Sequence, residues 1–297
     1  MSNSQINKPD SSRTLNIFIL HMKANLLTAL VTTAATIAGL CYKIDTASAS
    51  GFTWNNSWTQ PTVESKSVTG FNDTPFQQFV QAEGIALPNS GQFILDPTKL
   101  KLKYDHDVSV YFINEGAGYR NQLAFEATGS TNSSGLVFND IACEGTGCVG
   151  AWGGNTLQLG DGVKLGNFTA GTQLDLWLRA DGLSRGDSAN IFGTKTSSNA
   201  DGLQHVVAYS FNNYILLGFE DLYGALGASG QDVNTGRWNE NSDRDFNDVI
   251  VVLDIGERNV QALVSATTPE PSVTLSMLLI GSVSVLGLRR RHKPTAQ

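Results

Sequence analysis

Six residues in the second half of the chain carry hard oxygen donors at close intervals: Glu220 and Asp221, then Asp243, Asp245, Asn247 and Asp248. Calcium takes six to eight oxygen ligands, and the alternation of Asp243, Asp245 and Asn247 presents three of them along one side of a loop. The run is not an EF-hand loop. Asp248 stands where that loop needs a glycine, and residues 249–253 are an apolar run suited to a buried strand. Glu220 and Asp221 end the preceding apolar segment and join the others if the two strands pair as a hairpin. Five formal negative charges in one corner would repel one another without a cation, and Arg244 alone does not neutralise them. All six are therefore expected to converge on one Ca²⁺. The competing reading is that Asp and Asn simply form turns and cap strand ends.

Other reactive groups are sparse. Between the two ends of the chain the only histidines are His106 and His205, and there is neither a Gly-x-Ser-x-Gly elbow nor a phosphate-binding loop. His205 opens a strand and reads as a core-edge or surface residue. His106, between Asp105 and Asp107, reads as a solvated turn, with a surface cation site as the alternative. Glu115 and Glu126 are conceivable as a glycosidase pair, but acidic residues are so abundant that any two would match. Glu115 is better placed in a turn that Gly116 and Gly118 open, with Asn121 bonding nearby backbone. Tyr119, Trp152, Trp177 and Trp238 are either sugar-stacking platforms or core aromatics. The chain is expected not to be an enzyme, with a polysaccharide-binding module as the rival function and glycoside hydrolysis ranked below it.

Cys143 and Cys148 flank Glu144-Gly145-Thr146-Gly147, which fits two strand ends joined by a four-residue hairpin loop. In an oxidising compartment a disulfide is expected there, worth about 2 kcal/mol for so short a loop. A zinc site would need two further ligands, and none stands near.

The elements that must position these groups read as strands. In Gln173-Leu174-Asp175-Leu176-Trp177-Leu178-Arg179 the period is two, and Leu174, Leu176 and Leu178 share the core face. Residues 108–113, 122–126, 136–141, 205–210, 214–219 and 248–253 read similarly. Many short strands without intervening helices predict an all-β fold, an antiparallel β-sandwich or jelly roll. One short capping helix is signalled by Thr74 as N-cap, Pro75 at the first helical position and Gln77, ending at Gly84, with Phe76, Phe79 and Val80 on one face. The predicted divisions are a signal region over 1–49, a lead with the short helix over 50–101, the sandwich over 102–258, a linker over 259–268 and a sorting tail over 269–293.

Both ends differ from the middle in composition. An apolar, small-residue stretch over 24–40 leads to Ala47-Ser48-Ala49, where Ala47 and Ala49 supply the small side chains a signal peptidase reads. At the other end Pro269-Glu270-Pro271 precedes an uncharged, largely apolar run over 272–288 and then Arg289-Arg290-Arg291. Seventeen helical residues at about 1.5 Å each span about 25 Å, close to a bilayer core of about 30 Å, so a C-terminal transmembrane helix is expected. The arginines would stay cytoplasmic. Residues 50–268 carry 24 acidic and 12 basic side chains, a balance of −12 against −7 for the whole chain. So acidic a region is a poor partner for nucleic acid and a plausible one for divalent cations.

Two resemblances follow from these residues. The tail, with its three parts in order, closely resembles a PEP-CTERM sorting signal, which implies cleavage near Pro-Glu-Pro by an exosortase and delivery to the cell surface or extracellular matrix after transient membrane anchoring. The segment from Val110-Tyr111-Phe112-Ile113-Asn114-Glu115-Gly116 through Gln122-Leu123, with Gly218-Phe219-Glu220-Asp221-Leu222 and Asp243-Arg244-Asp245-Phe246-Asn247-Asp248, looks like a bacterial exported domain of unknown function, number 4114, over residues 102–255. This chain departs from it by an insertion over 223–241. The resemblance implies a β fold and a surface setting, and no reaction; the partner expected of a surface or matrix protein of this kind is extracellular polysaccharide. Intact mass of protein recovered from the cell surface should show a chain beginning near Ser50 and ending near Thr268. A species that keeps Arg289, Arg290 and Arg291 would replace sorting by a permanent anchor.

Overall fold

Among the described residues, ten strands fold into two antiparallel sheets. The structure is a computed structural model and describes residues 52–82, 84–88, 93–149, 154 and 156–267. Ala47, Ala49, Trp152 and the whole sorting tail lie outside the described residues, among which no helix is long and apolar enough to cross a membrane. The strands are β1 (Phe93–Leu95), β2 (His106–Asn114), β3 (Asn121–Thr128), β4 (Ser133–Ile141), β5 (Gly162–Phe168), β6 (Gln173–Arg179), β7 (Ile191–Gly193), β8 (Val206–Phe211), β9 (Tyr214–Phe219) and β10 (Val249–Asp254). One sheet has the order β1-β8-β9-β10-β2-β5 and the other β4-β3-β6-β7.

Between the sheets lies the main core. Leu174, Leu176 and Leu178 of β6, with Leu123 and Phe125 of β3, face Val110 and Phe112 of β2 and Val251 and Leu253 of β10. This is the layered arrangement that half-buried strands reach by burying one face of each sheet against the other.

The sheets are also covered outside, which explains strands without alternation. Ile250 and Val252 of β10 and Leu216 of β9 point away from the main core into a second cluster with Phe71, Phe76, Phe79 and Leu87. On the outer face of β6, Trp177 stacks on Phe52 with ring centroids 4.3 Å apart, and Arg179 lies over Trp54 at 5.3 Å. The lead is thus a strap laid across both sheets. Trp177, considered as a sugar platform, is instead buried beneath Phe52.

Four local expectations differ from what forms. The capping helix is a 3-10 helix, Thr74–Phe79, with Asp73 as the residue before it, and it stops well short of Gly84. In that geometry residues three apart eclipse, so Phe76 and Phe79 both face the sheet, and Val80 returns to an extended backbone. Residues expected as linker instead form helix Glu257–Thr267. Val260, Leu263 and Val264 pack it on the core, and Asn259 ties it down by accepting from the Lys103 and Tyr104 N–H groups and donating to the Tyr104 and Ile255 carbonyls. Cys143 and Cys148 form a disulfide with Cα atoms 5.7 Å apart, yet neither lies in a strand, so the loop is not a hairpin. Asn114 holds it instead, donating to Gly147 O and accepting from Val149 N. The edge strands β1, β5 and β7 are not among the expected strands.

Leu176 is fully buried between the sheets while Leu226 is 72% exposed. Urea unfolding should show Leu176→Ala losing about 2–5 kcal/mol and Leu226→Ala staying within about 0.5 kcal/mol. Equal losses at the two positions would mean the core lies elsewhere.

Candidate metal centre

Three strand ends meet at one pole of the sandwich. Val249 pairs with Phe219, which sets Asp248 opposite Glu220, and Ile250 pairs with Asn114, which brings Glu115 alongside. Glu115, Glu220, Asp221, Asp245, Asn247 and Asp248 are each at most 2% exposed there, and Asp243 is half-buried.

Glu220, Asp243 and Asp245 offer carboxylate oxygens that all lie within 4.8 Å of one another. The loop that brings them together is strained. Arg244 and Phe246 both have left-handed backbone, with φ of 56° and 61°, at a cost of about 1–2 kcal/mol for each non-glycine residue. Placed at every second position, these bends bracket Asp245. The turn is also packed too tightly for side chains at its neighbours. A Cβ at Gly116 would sit 2.4 Å from Asn247 Oδ1, and one at Gly218 would sit 2.4 Å from the Phe246 carbonyl oxygen.

Hydrogen bonds cover part of this charge. Ser242 Oγ donates to Glu220 Oε1 at 2.7 Å. Asp245 accepts from Asn247 N and from Gly84 N, both at 2.9 Å. Asp248 Oδ2 accepts from Asp221 N at 2.7 Å, and Asp221 Oδ2 accepts from Asn121 Nδ2 at 2.7 Å. Glu115 Oε2 accepts from Cys143 N at 3.0 Å. Left without a hydrogen-bond partner are Glu220 Oε2, Asp243 Oδ1, Asn247 Oδ1 and Glu115 Oε1.

Burial, with Asp243 and Asp245 beside it, pushes Glu220 above the ordinary carboxylate range. Asp245 moves the same way from burial and the adjacent Asp243. Asp248 is driven well above that range by burial and by Asp221 and Glu220. Burial, helped by Asp221 and Asp140, pushes Glu115 up to about 8. Of the neighbouring arginines, Arg120 pairs with Asp140 and Arg185 with Asp181 and Glu240, while Arg244, which donates to the Gln204 carbonyl, and Arg120 offset part of the rise at Glu220 and Glu115.

The six residues singled out in the sequence thus share one pole but not one role. Glu220, Asp243 and Asp245 form the close group. Asn247 donates to the Ala82 and Ile85 carbonyls while its Oδ1 stays unpartnered. Asp221 and Asp248 form a neighbouring pair reached by Asn121. Sequence reasoning missed Glu115 as a member of this pole, having put it in a turn; an acidic residue directly after the apolar run 110–113 was the available signal.

His205, expected at a core edge or surface, is fully buried. Its ring stacks on Phe192 at 3.6 Å, Nδ1 meets the Glu220 carbonyl at 2.9 Å and Nε2 meets Asp201 Oδ2 at 2.8 Å, so it fixes the backbone of a site residue. Burial acts to raise Asp201, but the hydrogen bond and charge of His205 prevail and hold it at about 2. His106 pairs with Asp254 at 3.2 Å, while Asp105 and Asp107 accept from Ala170 N and Asn167 Nδ2. Glu126 is on β3, in the other sheet from β2, which Glu115 directly follows. Tyr119 is half-buried against Arg185, which donates to its hydroxyl at 2.6 Å, whereas Trp238 is 69% exposed. Compared with protein-family models, curated proteins and solved structures, the chain matches none of them. The family resemblances therefore stand on their motifs alone.

Because Glu115 rises from 4.5 to about 8 on folding, the folded state keeps a proton that the unfolded chain releases between those values. This contribution to stability is complete below about pH 4.5 and falls as pH rises toward 8, at up to about 1.4 kcal/mol per pH unit for one proton. Urea titrations in chelator across that window should show the decline, and Glu115→Gln should flatten it. An unchanged slope in the variant would remove Glu115 as its source.

Proposed function

We propose that the chain is an exported, non-catalytic bacterial surface or matrix protein whose β-sandwich is stabilised at one pole by Ca²⁺. The observation that carries the metal is Glu220 Oε2, fully buried and without a hydrogen-bond partner beside the carboxylates of Asp243 and Asp245. Glu220, Asp243 and Asp245 would hold the ion, with Asn247 Oδ1 as a further donor and Asp221 and Asp248 adding negative charge behind them. An all-oxygen donor set suits a hard cation and disfavours zinc; the cysteines are joined and both His205 nitrogens are engaged. Magnesium keeps several of its waters, so a buried donor set suits calcium better. Burial also argues for a structural ion, because two of the three holding groups, Glu220 and Asp245, are at most 2% exposed and Asp243 is half-buried.

The export reading rests on Ala47-Ser48-Ala49 and on the tail from Pro269 to Arg291, cut respectively by signal peptidase and exosortase. One observation favours polysaccharide binding as a second reading. Trp238 is 69% exposed on the excursion between β9 and β10, which Tyr223 anchors by bonding Asp232 and Thr235. Affinity electrophoresis in native exopolysaccharide separates the two readings, since retardation lost in Trp238→Ala belongs to a binding module alone.

Thermal melts test the calcium. A ligand at a hundred times its dissociation constant stabilises by about 2.7 kcal/mol, or several degrees for a domain of this size. The melting temperature should rise by that much from chelator to calcium in the parent and stay still in Asp245→Ala. No shift in the parent would end the proposal.

A further inference from the structure

At the far end of β10 from the metal centre, the chain turns through Ile255 and Gly256 into helix Glu257–Thr267. One side of this helix borders a cleft of about 850 Å³. Its floor is apolar, with Leu95, Leu100, Leu263 and Ala266 among the lining residues, and Lys99, Lys101 and Lys103 stand around it. The alternation has a local cause. After the 3-10 turn Pro97–Lys99, residues 100–102 lie beside residues 171–174, Leu102 N bonding Thr172 O and Leu174 N bonding Leu100 O. Leu100 and Leu102 therefore enter the core while the three lysines turn outward. Next to the helix on its other side, the edge strand β1 leaves Phe93 and Ile94 57% and 62% exposed.

An apolar trough edged by cations fits an amphiphile with an anionic head, the acyl part lying on Leu263 and Ala266 and the head meeting the lysine amines. Charge makes the match selective: three of the twelve basic residues of an acidic region stand within five positions here, and Asp96 is the one acid lining the cleft. Chain connectivity names the source of that amphiphile. The helix ends at Thr267, two residues before Pro269 and five before the apolar run 272–288. With that run in a bilayer, the intervening residues reach at most about 18 Å even when extended, so this pole cannot stand far from the headgroups.

We propose that the pole formed by helix Glu257–Thr267, β1 and residues 96–103 docks on the anionic leaflet in which the chain is anchored, seating a phospholipid in the cleft beneath Lys99, Lys101 and Lys103. The inference rests on the reading of the tail as a membrane anchor and extends it from a tether to an oriented surface. Phe93 and Ile94 supply apolar contacts at the rim, as aromatic and aliphatic side chains do at membrane interfaces.

Two readouts on the full chain test it, with phosphatidylcholine vesicles and with vesicles that also contain anionic phosphatidylglycerol. Flotation reads the tail and amine acetylation followed by mass spectrometry reads the cleft. A lysine at an anionic surface gains about fivefold in occupancy, so Lys99, Lys101 and Lys103 should acetylate about fivefold more slowly on the anionic vesicles alone, relative to Lys164 and Lys195. Flotation with both vesicles but equal acetylation overturns the docking and leaves the anchor intact. Flotation with anionic vesicles only, lost in the K99Q/K101Q/K103Q variant, upholds the docking while the anchor reading fails. Flotation with neither overturns both.

Discussion

The centre of this fold is a desolvation problem. Carboxylates at the ends of β2, β9 and β10 are packed where water does not reach them, and an ion taken out of water costs several kcal/mol unless it is paired and hydrogen-bonded. The surrounding chain bends to meet that demand. Backbone N–H groups of Gly84, Cys143, Asp221 and Asn247 are turned inward as donors. Left-handed residues at 244 and 246 and bare glycines at 116 and 218 make the turn tight enough to close. These donors still leave four side-chain oxygens of the pole without a hydrogen-bond partner.

Rigidity follows from where the site is mounted. β9 and β10 are apolar on both faces, one packed in the main core and the other beneath Phe71, Phe76, Phe79 and Leu87. A strand enclosed in this way has no free face on which to slip, since a shift of one residue would exchange its two buried surfaces. The register that opposes Asp248 to Glu220 is therefore enforced by packing along the whole of β10. His205 adds a second constraint at the Glu220 carbonyl, and Asn121 extends from the other sheet to Asp221. The pole is thus bound to both layers of the sandwich.

How much of this was legible depended on whether the cause was local. Leu174, Leu176 and Leu178 announced a core face by their spacing, and residues 214–219 and 249–253 announced strands by their apolar runs. Gly162 and Gly166 hid β5, since an edge strand with glycines has no alternation to read. Val260, Leu263 and Val264 carry a helical spacing, although residues 259–268 are expected as a linker. At the site, Glu220, Asp243, Asp245 and Asn247 were recognisable because their oxygens recur at intervals. Glu115 was not, because its membership comes from β2 pairing with β10, a contact more than a hundred residues distant in sequence. Adjacent residues also diverge: Glu220 meets Ser242 and Asp243, while Asp221 meets Asn121, a separation that sequence proximity conceals.

The two poles divide the charge of the molecule in a way that suits both. β10, Val249–Asp254, lies between Asp248 at the carboxylate pole and the turn into helix Glu257–Thr267, and its six residues put roughly 20 Å between the two. The Debye length at physiological ionic strength is about 8 Å, so negative charge at one pole is largely screened from a surface at the other. An acidic protein can therefore approach an anionic leaflet, provided that the approaching end is the one with Lys99, Lys101 and Lys103 and not the one with Glu220 and Asp245. Reversing the orientation would press a buried excess of carboxylates toward like charge and leave the lysines facing solvent. The same strand that sets the register of the carboxylate pole thus sets its distance from the lysine pole, beyond which the sequence continues toward the apolar run 272–288.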